Sequence, residues 1–395
     1  MMAELRQPVW INAEDVPPLP VGWRSLPTAE ACIQLKPGKL FDSKTVAESG
    51  RIPVLNQSET GFLGYHDEEP GVTASPEAPV VTFANHTCAM RLMKQPFSSI
   101  QNIFPKIGKP GVTETIYFYY AALGRVGLSD YKGHHPVFRQ AYIPIPPLPI
   151  QRRIAGILSA YDELIENSQR RIKILEAMAR ALYREWFVHF RFPGHESVPR
   201  IPSPLGEIPQ GWEVRTLGNL ADISWGDTST TKASYVAEGY AAYSASGLDG
   251  KLDHYDFDRI GIVLSAIGAQ CGKTWLARGQ WSCIKNTIRF WSKAEMASTE
   301  FLFIATEGQS FWPRRGAAQP FISQGDAECI ELVVPDRTTM QRFTDFASDA
   351  LEQITMLQEQ TQNLRRTRDL LLPRLLTGQV ELATAKESGQ TSAKP

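Results

Sequence analysis

Residues 143–190, IPIPPLPIQRRIAGILSAYDELIENSQRRIKILEAMARALYREWFVHF, narrow the possible architectures more than any other stretch. Each of Pro144, Pro146, Pro147 and Pro149 removes an N–H and biases the residue before it toward extended backbone, so a helix is expected only from Ile150 onward. From there Gly156 is the one helix breaker in about forty residues. Apolar or small side chains recur at Ile154, Leu158, Tyr161, Ile165, Ser168, Ile172, Leu175, Ala179, Leu182 and Trp186. These steps alternate four and three, the 3.5-residue period of a coiled-coil seam. At 1.5 Å per residue the helix would run roughly 60 Å, about twice the diameter of a small domain. It reads as a strut; the competing reading is a long core helix of an ordinary domain.

The strut occurs twice. Adding 189 to each number carries Pro146 to Pro335, Ile154 to Phe343, Ile157 to Phe346, Ser159 to Ser348, Glu163 to Glu352, Ile165 to Ile354, Leu175 to Leu364 and Leu182 to Leu371. The same offset carries Pro20, Gly22 and Trp23 onto Pro209, Gly211 and Trp212. One offset serving both ends implies an internal duplication, each half a globular unit followed by a long helix. Two units are too few for a solenoid, so the two struts are expected to bury their seams against each other. The seam would run through Ile154, Leu158, Tyr161, Ile165, Ile172, Leu175 and Leu182 on one strut, and Phe343, Ile354, Leu364 and Leu371 on the other.

A length of 395 residues, 43% hydrophobic, allows two or three globular cores. The predicted fold class is α+β: two pseudo-repeated globular domains, each followed by a long helix, the two helices pairing as an antiparallel coiled coil. The expected boundaries are 1–149 for the first domain, 150–192 for the central helix and 193–338 for a linker and the second domain. A C-terminal helix over 339–379 and a disordered tail over 380–395 follow.

The net charge of −1 leaves no strong basic excess to advertise nucleic-acid binding by electrostatics alone. The five cysteines are never spaced C-x-x-C, which argues against a disulfide framework or a zinc site. MMAELRQPVW lacks the regions of a signal peptide and no apolar run nears twenty residues, so a cytoplasmic location without membrane association is expected.

Within the first domain, IPVLNQS, APVVTFA, SSIQNIF and ETIYFYYAAL read as short strands, with one possible helix from Glu114. Residues 191–209 read as a Pro- and Gly-rich linker. In the second domain YAAYSAS, GIVLSAIG, KTWLA, NTIRFW, STEFLFIA and AECIELVVP read as strands. Phe97-Ser-Ser-Ile-Gln-Asn102 matches Trp281-Ser-Cys-Ile-Lys-Asn286, whereas the loops between differ almost completely. A shared frame with unrelated loops suits two readers of different ligands.

Catalytic signals are missing. Gly268-Ala-Gln-Cys-Gly-Lys-Thr274 imitates a phosphate-binding P-loop, but only three residues separate Gly268 from Gly272-Lys273 where the motif needs four, and no helix is expected next. A β-hairpin turn is the better reading. No H-E-x-x-H, G-x-S-x-G or G-x-G-x-x-G occurs. His134-His135, read as adjacent strand residues, would point to opposite faces and so to solvent or a groove rather than to one metal.

Taken together, the 143–190 stretch, the paired P-x-G-W entries at Pro20 and Pro209, YSASGLDGKLDHYDFD, GIVLSAIGAQCGKTW and the closing LLLPRLLTGQVEL resemble the specificity subunit of Type I restriction-modification systems over nearly the whole chain. Departures from the family's usual pattern stand at Ile150 and His189, and the entry to the second strut, VVPDRTTMQRF, keeps little of the proline pattern. The resemblance implies a non-catalytic, sequence-specific reader of double-stranded DNA in defence against foreign DNA. Two target recognition domains would each read half of a split target. Two methyltransferase subunits would dock along the helices, and motor-nuclease subunits would bind the assembly. No cofactor would bind this chain; S-adenosylmethionine, ATP and Mg would belong to the partners. The alternatives are a scaffold that assembles partners without reading bases, or a P-loop-like NTPase.

Base readout calls for Arg, Lys, Asn or Gln side chains reaching groove edges in bidentate fashion. The candidates are Asn56, Gln57, Lys132, His134 and Arg139 in the first domain, and Gln270, Lys273, Arg314, Arg315 and Gln319 in the second.

Overall fold

The computed structural model describes residues 7–127, 133–293, 295–316, 318–380 and 382. By contacts the chain divides into two units: residues 1–167 with 360–395, and residues 168–359. The expected tail lies outside the described residues from 383 onward.

In the first unit, Arg24–Pro27 pairs antiparallel with Tyr142–Ile145, so the chain enters and leaves the globular part side by side. A four-stranded antiparallel sheet runs in the order Cys32–Gln34, Ile103–Gly108, Val80–Ala84, Met90–Met93. A smaller sheet follows in the order Gly64–His66, Ile52–Leu55, Ser98–Ser99, the last pair parallel. Val80–Ala84 is buried along its whole length, Thr82 included, as suits a mostly apolar run in a strand covered on both faces. The helices Thr115–Ala122 and His135–Gln140 cover one face, where Tyr117, Phe118 and Phe138 join Val81 and Phe83 in the core.

The second unit repeats that frame. Glu213–Thr216 pairs with Glu331–Val334, and a four-stranded sheet runs Ala221–Trp225, Thr287–Ser292, Gly261–Ser265, Thr274–Ala277. Its second sheet has the order Gly247–Leu252, Tyr240–Ser244, Gln280–Cys283, Phe257–Asp258. The 189-residue offset read from the sequence carries Arg24–Pro27 onto Glu213–Thr216, Thr28–Ala31 onto Leu217–Leu220 and Tyr142–Ile145 onto Glu331–Val334. In the middle of the domain the offset falls to 184, where Asn102 matches Asn286. Both hold a left-handed backbone (φ 64° and 70°), which Asn tolerates better than most residues.

The central helix runs Leu148–Tyr183 and closes on a π-turn, Arg184–Val188; the C-terminal helix runs Arg337–Leu376. Pro149 lies inside the first turn, where its missing N–H has no intrahelical partner to lose, so the helix starts two residues before the expected Ile150. Buried or half-buried positions step in threes and fours along both helices: Ile154, Leu158, Tyr161, Ile165, Ser168, Ile172, Leu175, Ala179 and Leu182 on one, Phe343, Ala347, Ala350, Ile354, Leu357, Thr361, Leu364, Arg368 and Leu371 on the other. Leu164, Ile174 and Met178 are exposed. In the first unit Ile154 and Leu158 share a core with Leu372, Leu375 and Leu376, and Arg368 bonds Asp162. In the second, Ile172, Leu175, Ala179 and Leu182 pack into a core with Phe343, Ala347 and Ile354.

Three local expectations are corrected. STEFLFIA is not a strand: Thr299–Ala305 is a helix whose N-cap, Ser298, accepts a hydrogen bond from the Phe301 N–H at 3.0 Å. A short apolar run cannot be told helix from strand by pattern, and here the cap decides. Residues 191–209 are more than a linker, since Arg200–Ser203 and Gly206–Pro209 form a hairpin and Phe192 and Ile208 enter the second core. His134 and His135 are not in a strand: His134 is the N-cap of the helix His135–Gln140, with Pro136 in its first turn.

Candidate nucleic-acid interface

In each unit the loops at one end of the main sheet are tied together by backbone hydrogen bonds, and the matched asparagines sit at the tie. In the first unit the Asn85 N–H donates to Asn102 O at 2.9 Å; in the second the Ala266 N–H donates to Asn286 O at 3.0 Å.

In the second unit the strands Gly261–Ser265 and Thr274–Ala277 are antiparallel neighbours. The Gly268–Lys273 segment is therefore a hairpin loop. Gly268 and Gly272 both take left-handed backbone, at φ 100° and 92°. No helix follows, so the residues present do not fit a nucleotide's phosphates in the P-loop manner. A second loop, 313–322, is stitched to this hairpin: Ile267 bridges Phe321, and the Gly268 N–H donates to Pro320 O at 2.9 Å. Gln309 Nε2 adds a bond to Cys271 O at 3.1 Å. Gln270, Lys273, Arg314, Arg315 and Gln319 thus stand on two joined loops. Lys273, Arg314 and Gln319 are exposed, with no side-chain partner among the described residues. Arg315 is exposed but bonded to Asp326, whose carboxyl also accepts from the Ser323 hydroxyl and sits below its ordinary range, the Ser323 bond being the larger cause.

The first unit gathers its candidates less completely. Asn56 and Gln57 follow the strand Ile52–Leu55, and both are spent on loop structure. Asn56 Oδ1 accepts from the Ser58 N–H at 3.0 Å. Gln57 Nε2 donates to Gln101 O at 3.1 Å, while its Oε1 accepts from the His86 N–H at 3.2 Å. His134 is 3% exposed and its Nδ1 lies 3.0 Å from Asn85 O, so it is an internal tie and does not face a groove. Arg139 is exposed at the last turn of its helix and lines a cleft elsewhere on the unit. Lys132 lies outside the described residues.

Sequence reasoning passed over the side chains that do face outward at this end. His86, Thr87, Gln101 and Asn102 are exposed, and Asn102 Nδ2 lies 3.3 Å from His86 Nε2. Arg91 braces the rim through Gly61 O at 2.7 Å. The signal was the match of Asn102 with Asn286, which marks the same turn in both units. In the second unit the Asp227–Thr231 turn adjoins it, the Lys285 N–H donating to Thr230 O. The Thr230 and Ser229 hydroxyls hold the Asp227 carboxyl down to about 2.

Among the described residues no group of three or more His, Cys, Asp or Glu side chains could hold a metal ion, and no helix is long and apolar enough to cross a membrane. What the arrangement offers is two like frames, each presenting a different set of polar side chains on one loop cluster. Residues 21–177 match the family model of the Type I restriction modification DNA specificity domain. Over 326 residues the chain is 23% identical to the Type I restriction enzyme MjaIX specificity subunit of Methanocaldococcus jannaschii, covering 74% of each chain. It is 37% identical over 90 residues to the MjaVIII specificity subunit of the same organism, 23% of this chain and 20% of that one. The fold is similar to the crystal structure of the Type-I restriction-modification system S subunit from M. genitalium, with a TM-score of 0.65 at 16% identity over 91% of this chain and 97% of that one. These likenesses place residues 21–177 beside the Type I DNA specificity domain in sequence, and the rest of the chain is similar to specificity subunits at lower identity.

Proposed function

We propose that this chain is the non-catalytic DNA reader of a Type I restriction-modification complex, its two recognition domains each reading one half of a bipartite target. The observation that carries this reading is the repeat: strand order and turn positions are shared, while the loops at the reading end are not. Lys273, Arg314 and Gln319 on the second unit are exposed and able to reach base edges or phosphates, and Gln270 and Arg315 stand on the same loops. On the first unit the reading edge is built from the 86–87 and 101–102 turns, with Gln57 bonded to both.

The two long helices pair antiparallel as a coiled coil that sets the separation of the two domains. In support, the start of the central helix shares a core with the end of the C-terminal helix in one unit, and its end shares a core with the start of the C-terminal helix in the other. Two methyltransferase subunits dock along these helices and motor-nuclease subunits join them. S-adenosylmethionine, ATP and Mg act on those partners, in the cytoplasm. The test is to map methylated bases in cells that carry the chain with its methyltransferase and in cells lacking only the chain. The expected result is a split motif, two fixed halves around an unspecified gap, that vanishes with the chain. Methylation that persists unchanged without it would leave the chain as a scaffold or less.

A further inference from the structure

The repeat supplies an internal control for one buried cation. On the strand Thr287–Ser292, Phe290 lies opposite Ile223 and Ile262, is fully buried, and belongs to the second core. The position that the same register defines in the first unit lies opposite Gln34 and Val81, and it is Lys106, 2% exposed. The surroundings change with it. Ile223 becomes Gln34, Ala221 becomes Cys32, and Gln324 and Glu328 of the second unit's short helix become His135 and Arg139 at the 189-residue offset. Where the second unit buries Phe290, the first has a polar, basic cleft lined by Thr28, Ala29, Cys32, Gln34, Lys106 and Arg139, with a volume of about 340 Å³.

The donors in this cleft outnumber its acceptors. Lys106 Nζ lies 3.0 Å from Gln34 Oε1 and 3.0 Å from His135 Nε2, which uses two of its three hydrogens. His135 is stacked on Phe104 at 3.7 Å, and burial, then Lys106, then Arg139 push its pKa down to about 4, so it is neutral at pH 7 and accepts from the ammonium. The Gln34 amide nitrogen and the Arg139 guanidinium have no partner among the described residues. Thr28 spends its hydroxyl hydrogen on Phe138 O. No carboxylate among the described residues pairs with Lys106 or Arg139. A buried cation without a counter-charge is a cost that the second unit avoids by placing Phe290 there.

We propose that this cleft binds a phosphate oxyanion on Lys106, Arg139 and the Gln34 amide. The anion comes either from a DNA backbone or from solution. The backbone source rests on the DNA-reading function proposed above; the pocket itself does not. An oxyanion supplies the missing charge, accepts the third Lys106 hydrogen and suits the arginine fork.

Cys32 gives a local readout, because it lines the cleft. The full chain is alkylated with iodoacetamide in potassium phosphate and in potassium chloride of equal ionic strength, and the rate at each cysteine is read by peptide mass spectrometry. The exposed Cys329 of the other unit serves as the reference. Phosphate is expected to slow Cys32 at least about threefold relative to Cys329 in the wild type, an occupancy of two-thirds or more at working concentration. Lys106→Met and Arg139→Gln should each abolish that protection. Arg139 is exposed, so its variant folds even where the first does not. A parallel arm replaces phosphate with a twenty-base-pair duplex at low salt, where phosphate contacts are strongest. Protection by the duplex assigns the backbone as source, and protection by phosphate alone assigns a free anion. No protection from either, or equal protection in wild type and both variants, overturns the pocket and leaves the methylation test of the DNA-reading function untouched.

Discussion

Lys106 titrates where few lysines do. Burial, with Arg139 adding to it, lowers its pKa to about 8, against about 10.5 in the unfolded chain. Between those values the unfolded chain holds a proton that the folded chain has released, so stability should rise with pH from 8 toward 10.5. The groups facing Lys106 are Gln34 and Cys32 from the edge strand and His135 and Arg139 from the short helix. Cys32, its thiol pushed up by burial and held back by Lys106, acts in the opposite sense over this range, and more strongly in the variant, which widens the expected difference. Urea midpoints at pH 8, 9 and 10 should therefore climb more steeply in the wild type than in Lys106→Met, and identical slopes would contradict the assignment. In the other unit, Arg314 and Arg315 are neighbours with different duties. Arg314→Ala should weaken binding of the assembled complex to its target by about 1–3 kcal/mol with no change in melting temperature. Arg315→Ala should also cost stability, by about 0–1 kcal/mol, because it frees Asp326. Filter binding and thermal melting separate the two.

At the scale of elements, the long helices are the most legible part of the chain, because a 3.5-residue period held over about forty residues has few readings other than a long helix. Leu158 is fully buried in the first core, so Leu158→Ala should cost about 2–5 kcal/mol. Leu175→Asp should lose the roughly 1.5–3 kcal/mol of its apolar contact and add a poorly solvated charge. Ile174→Ala, one residue away but exposed, should change the urea midpoint little. If Leu175→Asp melts like the wild type, the seam does not face a partner helix. A four-residue insertion near Asn167 adds about 6 Å of helix and only a stutter to the seam. At about 3.4 Å per base pair, the gap between half-targets should lengthen by at most about two base pairs.

What the sequence hid at this scale was local. FLFI carries no period that separates helix from strand, and only the Ser298 cap tips it. Pro149 looked like a barrier because a proline pattern does not say which prolines fall in a helix's first turn. The site was less legible still. Asn56, Gln57 and His134 have the chemistry of DNA contacts, yet their hydrogen bonds go to the fold. His86 and Asn102 stayed hidden because their exposure depends on which turns the tertiary structure brings together. Residue type alone does not record that.

At the scale of the whole molecule, the account is one frame used twice with two independent faces. A net charge of −1 offers little of the phosphate neutralisation on which non-specific affinity depends, so the chain alone should bind duplex DNA weakly, the complete complex supplying the rest. Independence of the two faces is the central claim, and a domain exchange tests it most directly. Residues 211–335 are replaced by the equivalent domain of a related specificity subunit, and methylated sites are mapped in cells with the cognate methyltransferase. The account predicts that one half of the methylated motif changes while the other half and the gap stay as they were. A motif altered in both halves would contradict it.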